Sequence, residues 1–156
     1  MQTTVGTRRV RFLDTIVTAH VRHEDGADGV SILELWAAHG DSPPLHVHNT
    51  EDESFFVLEG MLRLNRAGED VMLSAGEGGV VRSRVPHTYR VESHEGARFL
   101  VVTSRGDFER FVLAASSPGE EGSEPALSGP PTEEQQQALA SMAAAHGIDL
   151  VGPPLA

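Results

Sequence analysis

Four residues of this 156-residue chain have the types and spacing to hold a metal ion: His46, His48, Glu53 and His87. His46 and His48 are two positions apart in a β-prone stretch, which turns both imidazoles to one face of a strand. Glu53 opens the next stretch, leaving Asn49, Thr50, Glu51 and Asp52 to make the turn. If the two strands pair as neighbours, the carboxylate returns beside the two rings. Glu53 shares its face with Phe55 and Val57, and a carboxylate on an apolar face has to be neutralised, paired or metal-bound. A reversed pleat, with Phe56 and Leu58 inward, would leave Glu53 in water instead. His87 follows Pro86 at the head of another strand, with Tyr89 and Val91 on its face. Alone it reads as a core or rim histidine bonded to backbone; with the other three it completes a ligand set. Three neutral imidazoles and one carboxylate suit a divalent Ni, Fe, Mn, Co or Zn ion rather than Ca or Mg. Four protein ligands leave one or two positions of such an ion open, as a working metal requires.

The other potentially active side chains read as bland. His20, His23, His39, His94 and His146 lie near turns or at a helix end. Arg82, Arg84 and Arg90 alternate outward as a solvated face, with Arg84, in the loop before Pro86, best placed to meet an anionic substrate. Trp36 and Phe99 read as core.

The elements that must position the ligands are short and β-prone from Arg8 to Ser104. The stretches are Val10–Leu13, Thr15–Val21, Val30–Ala37, Leu45–His48, Glu53–Leu58, Met61–Asn65, Asp70–Leu73, Gly79–Arg82, His87–Val91 and Arg98–Thr103. Turn signals such as Asp25-Gly26, Glu59-Gly60, Ala67-Gly68 and Ala75-Gly76 separate them. Short strands at this spacing predict an antiparallel sandwich or barrel. Two helices follow. Asp107–Ala115 carries Phe108, Phe111 and Val112 at helical spacing, and its two phenylalanines are expected to dock across the barrel and shape its entrance. Residues 116–131 are rich in Ser, Pro, Gly and Glu and read as a mobile linker. Thr132 with Gln135 forms a capping box for a second helix, Gly147 closes it, and Leu139, Met142 and Ala143 give it an apolar face. That segment, with Leu150, is expected to pack outside the barrel or on a partner subunit, away from the metal. Residues 1–106 are thus read as the β-barrel, and 107–156 as a helix, linker and helix appended to it.

Composition narrows the chemistry. There is no cysteine, which removes disulfides and thiolate ligands or nucleophiles. All twelve basic residues are arginines, which removes lysine Schiff bases. A formal net charge of −11 argues against nucleic acid or anionic membranes as partners. After Ser117 the acid is unbalanced: Glu120, Glu121, Glu124, Glu133, Glu134 and Asp149 occur with no arginine, so the tail reads as a solvated appendage to the chemistry before it. No apolar run is long enough to span a bilayer. The polar start has no signal pattern, so a cytoplasmic location is expected.

Residues 40–60 resemble the first motif of the cupin superfamily: glycine, His-x-His, glutamate, glycine, here Gly40, His46, His48, Glu53 and Gly60 with every spacing met. Residues 68–91 resemble the second motif through Gly68, Gly76 and Pro86-His87. Ser74 stands where proline is usual and Val91 where asparagine often follows the histidine, and neither position is a ligand. The Phe55-Phe-Val-Leu-Glu-Gly stretch and the C-terminal Gly-Ile-Asp-Leu-Val-Gly-Pro-Pro are similar to small monocupins of the quercetin dioxygenase-like group. The resemblance implies an all-β fold, an antiparallel β-barrel of the double-stranded β-helix or jelly-roll type, with one divalent transition metal per chain on His46, His48, Glu53 and His87. It also implies a homodimer. The function expected is a dioxygenase acting on a flavonol-like or other enolisable aromatic small molecule. Glu53 would be ligand and base, with Phe55, Val57 and Tyr89 walling the substrate ring. A metal-assisted isomerase or polyketide cyclase, and a non-enzymatic small-molecule-binding module, remain open beside it.

Overall fold

Alternation of apolar and polar side chains along the strands builds two antiparallel sheets whose inner faces form one core. The structure is a computed structural model and describes residues 8–26 and 29–156. Its elements are β1 (Arg8–Phe12), β2 (Thr15–Val21), β3 (Ser31–Ala37), β4 (Leu45–His48), β5 (Glu53–Glu59), β6 (Met61–Arg66), β7 (Glu69–Ser74), β8 (Gly78–Val81), β9 (His87–Val91), β10 (Ala97–Thr103), α1 (Asp107–Ala115), β11 (Ser117–Pro118), α2 (Glu133–Ala145) and β12 (Ile148–Gly152). All ten expected strands and both helices form, with ends displaced by no more than two residues.

One sheet has seven strands in the order β11-β1-β2-β3-β10-β5-β8, and the other has five in the order β12-β4-β9-β6-β7. The two sheets face each other without closing into one hydrogen-bonded barrel, a jelly-roll arrangement. β3 and β10 alternate strictly, with Leu33, Leu35, Phe99 and Val101 pointing inward. On β5 the inward set is Glu53, Phe55 and Val57, while Phe56 is 43% and Leu58 39% exposed. The reversed pleat is therefore not the one adopted. Gly60, between β5 and β6, has φ +88°, and a Cβ there would lie 2.5 Å from the Gly96 carbonyl oxygen, so the motif glycine is a steric requirement.

Two expectations need correction. First, β4 and β5 are not paired neighbours; they lie in different sheets, and the turn between them crosses from one layer to the other. Second, the C-terminal segment is not remote from the ligand strand. β12 pairs with β4, placing Ile148 opposite His48 and Leu150 opposite His46. A sequence pattern reports which face of a strand is apolar but not which edge is vacant, and the edge of β4 is the one β12 fills. Leu139 and Leu150 border a small cluster of Phe111, Ala143 and Ile148 between α1, α2 and β12. Met142 remains 37% exposed.

The helix ends follow their residues. Thr132 Oγ1 accepts the Gln135 N–H at 3.1 Å, and the Gln135 side chain accepts the Thr132 N–H at 2.9 Å. Gly147, at φ +74°, turns the chain from α2 into β12. The 116–131 segment lies along the outer edge of β1, where β11 pairs with Val10 and Arg11. The Arg9 and Arg11 guanidinium groups donate to the carbonyls of Ser123 and Glu124.

Ile148 is 1% exposed and joins the C-terminal cluster to the edge of β4. Ile148→Ala is expected to lower the unfolding free energy by about 2–5 kcal/mol, the usual range for such a cavity. Urea denaturation of the two proteins measures it; a change within error would mean that β12 contributes nothing to the fold.

Candidate metal centre

The ligand set straddles the two sheets. His46 and His48 come from β4 and His87 from β9, with His46 and His87 directly paired in register. Glu53 projects across the interlayer from β5 of the facing sheet. The ring centroids are 4.4 Å apart for His46 and His87, 5.1 Å for His46 and His48, and 5.2 Å for His48 and His87. One ligand atom from each of the four residues lies within 4.8 Å of the others, and all four residues are buried.

The outer nitrogen of every ring is committed. His46 Nδ1 donates to the Pro44 carbonyl at 2.7 Å, His87 Nδ1 to the Val85 carbonyl at 2.9 Å, and His48 Nδ1 to Glu51 Oε1 at 2.9 Å. A neutral ring that donates through Nδ1 carries a lone pair on Nε2. With all three rings neutral, three such lone pairs would face the centre, where the Glu53 carboxylate adds a negative charge. Glu53 Oε2 is 2.7 Å from His87 Nε2 and 3.0 Å from His48 Nε2. The latter contact is not aligned as a hydrogen bond, and His48 Nε2 is a buried nitrogen with no hydrogen-bond partner. Converging Nε2 atoms, a buried carboxylate and an orphaned ring nitrogen are what a divalent transition-metal ion would satisfy.

Electrostatics separates the rings before an ion arrives. Burial, with His87 beside it, pushes His46 down to about 3, so that ring is neutral. Burial also opposes charge on His48, but the Glu53 and Glu51 carboxylates outweigh it and hold that ring up at about 10. Burial alone would raise Glu53; the His48 charge beside it and the hydrogen bond to His87 reverse that and keep it well below its usual range.

Glu51, read from the sequence only as a turn residue, is 1% exposed and lies behind His48. Its oxygens also accept the Phe108 N–H at 2.8 Å and the Asp107 N–H at 3.2 Å, the first residues of α1. The signal that could have found it is its place three residues after a ligand histidine, in a turn of otherwise interchangeable polar residues.

The three residues expected to wall the substrate are buried in this structure. Phe55 is 2%, Val57 0% and Tyr89 8% exposed, and all three belong to the main core. The Tyr89 ring packs edge-on against Phe55 and Phe99. Phe55 and Val57 continue the inward face of β5 after Glu53, and Tyr89 that of β9 after His87. A small cavity touches one of the four ligand residues, His46, and is bordered by Leu13, Pro44, Phe108, Phe111, Leu139 and Leu150. Phe108 and Phe111, expected to shape an entrance, line that cavity. Arg82 and Arg84 are exposed and Arg90 pairs with Glu92, outside the ligand cluster. His20, His23, His39, His94 and His146 also lie outside it.

A pH dependence follows from the charged ring. At neutral pH the metal-free His48 holds a proton, since its value of about 10 lies above the solution pH. That proton must leave before Nε2 can bind an ion. Zn²⁺ uptake should release roughly one proton, and affinity should rise by about tenfold per pH unit from neutrality toward pH 10. Calorimetry in buffers of different ionisation heat measures the release. Its absence, or full metal content in a His46→Ala/His48→Ala double variant, would refute the assignment.

Comparison with known proteins agrees with this geometry. Residues 33–103 match the family model described as the cupin domain. Over 117 residues, 75% of its length, the chain is 29% identical to the quercetin 2,3-dioxygenase of Bacillus subtilis (strain 168), and it spans 34% of that protein. Among solved structures it resembles a predicted oxalate decarboxylase from Thermotoga maritima, with a TM-score of 0.56 at 20% identity over 64% of this chain and 92% of that one. It also resembles KdgF from Halomonas sp., with a TM-score of 0.54 at 17% identity over 62% and 84%. At these identities the structural likenesses establish the fold alone. Among the described residues no helix is long and apolar enough to cross a membrane. With the two facing sheets, the motif spacings and the buried His₃Glu cluster, the family match identifies residues 33–103 as a cupin domain.

Proposed function

We propose that this cupin is a metal-dependent dioxygenase acting on a flavonol-like or other enolisable aromatic small molecule. The observation that carries the reading is the 29% identity to a quercetin 2,3-dioxygenase. A 117-residue stretch of a 156-residue chain necessarily includes positions 46–87, so the likeness covers the whole ligand set. The ion is a divalent Ni, Fe, Mn, Co or Zn, and when bound it supplies Lewis acidity and an open position for a substrate oxygen.

The chain's own residues then have distinct tasks. His46, His48 and His87 hold the site with their outer nitrogens fixed, so the rings cannot turn away. Glu53, kept as a carboxylate by its charged neighbours, takes the proton of the substrate hydroxyl at a carboxylate oxygen. Phe108, Phe111, Leu139 and Leu150 border an apolar approach beside His46 and keep bulk water from the reacting face. Free space there is only about 40 Å³, enough for a water or so rather than an aromatic ring. Substrate therefore enters by displacing side chains of the α1–β12 wall.

Glu53→Gln retains shape and an oxygen donor while removing basicity. Metal should be partly retained and turnover should fall by roughly 10² or more, the usual size of a lost general base. The assay is oxygen consumption by the metal-loaded protein across a panel of flavonols and other phenols. Turnover without oxygen uptake would replace the dioxygenase by an isomerase or cyclase using the same centre. Undiminished turnover in Glu53→Gln would remove the base from the mechanism.

A further inference from the structure

The three ligand histidines are not held alike. His46 and His87 each donate Nδ1–H to a backbone carbonyl two residues upstream, Pro44 and Val85. His48 donates instead to the Glu51 side chain, and both partners are sealed, with side-chain exposures of 2% and 0%. The same carboxylate accepts the first two backbone N–H groups of α1, whose N-cap, Gly106, has no side chain to satisfy them. One buried carboxylate thus receives a ligand imidazole and a helix N-terminus together, with the positive end of the helix dipole directed at it.

Two physical consequences follow. A carboxylate on Nδ1–H fixes the ring with its Nε2 lone pair inward and makes that nitrogen a stronger donor than a carbonyl would. Charge balance is the second. Glu53 alone leaves a divalent ion with a net positive charge in a buried site, whereas Glu53 and Glu51 together neutralise it. Glu51 does no more for α1 than a cap would, but its placement on His48 gives it a task at the centre.

We propose that Glu51 is a positioning residue of the metal centre, orienting His48 through Nδ1 and balancing the charge of the bound ion. This rests on the metal-site reading above. The experiment uses metal-stripped full-length protein titrated with Co²⁺ against a competing chelator, read both as affinity and as the visible d–d absorption. Glu51→Gln should bind Co²⁺ about 10–100-fold more weakly, the usual effect of losing such a partner, and its absorption should shift. Asp107→Ala is the control. The Asp107 side chain bonds Thr50 and Arg110 at the start of α1 and does not touch His48. That variant should melt earlier while leaving Co²⁺ affinity and spectrum unchanged.

Equal affinity and spectrum in Glu51→Gln would overturn the proposal. So would an equal loss of affinity in Asp107→Ala, because the effect would then run through helix order and not through His48. Failure of the unaltered protein to bind Co²⁺ would overturn the metal-site reading, and the proposal with it. If Glu51→Gln does not fold, nitrogen-15 NMR of the unaltered Zn²⁺ complex decides. His48 should show a protonated, slowly exchanging Nδ1 and a metal-bound Nε2, and a metal-bound Nδ1 would overturn the assignment.

Discussion

A carboxylate buried in a β-protein core sets the terms for everything around it. Glu53 sits on the inner face of β5 in series with Phe55 and Val57, where bare negative charge is strongly disfavoured. Its compensation comes entirely from the opposite sheet, as three imidazoles on two adjacent strands. In the metal-free chain one proton on His48 does part of that work, and a divalent ion does it more completely. Either way the two sheets are joined at this level by charge rather than by apolar packing, while the layer beneath is filled by Phe55, Tyr89 and Phe99.

That constraint explains why the surroundings of the site are so fully hydrogen-bonded. Ligand rings must not rotate, so each outer nitrogen is pinned, two by backbone carbonyls and one by Glu51. Strand β4 must not fray, since it carries two of the ligands in four residues, and β12 covers the edge that would otherwise be open. The Asn49 N–H donates to the Gly147 carbonyl and the Arg84 N–H to the His48 carbonyl, tying both ends of the C-terminal turn and the β8–β9 loop to the same strand. The acidic tail, which looked like an appendage, is thereby part of the frame of the centre and of its approach.

The same arrangement separates what is general from what is particular. A His₃Glu cluster between jelly-roll sheets serves many reactions, and the fold does not choose among them. Choice lies with the approach beside His46, and there the chain places aliphatic and aromatic side chains from α1, α2 and β12 with no charged group among them. That apolar lining supports the proposed aromatic substrate over a sugar acid or a phosphate.

Much of this was legible in the residues. Period-two alternation gave the strands, because a half-buried strand must alternate; the capping box and Gly147 gave the limits of α2, because helix ends need partners for their backbone groups. The ligand set was legible because few residue types bind transition metals and their spacing put them on inward faces. What the chain could not disclose were relations between distant segments. Nothing in the local pattern says that β4 and β5 belong to different sheets, or that β12 fills the edge of β4, since edge pairing is backbone chemistry common to every residue. Phe55, Val57 and Tyr89 have the inward face that alternation gives them, but how closely they are packed depends on where the layers meet. Glu51 looked like one of four turn residues, and only the docking of α1 buried it behind His48. Types, faces and spacing are local and survive in a sequence; edges, packing and the partners of a buried carboxylate exist only once the two sheets and the helix have come together.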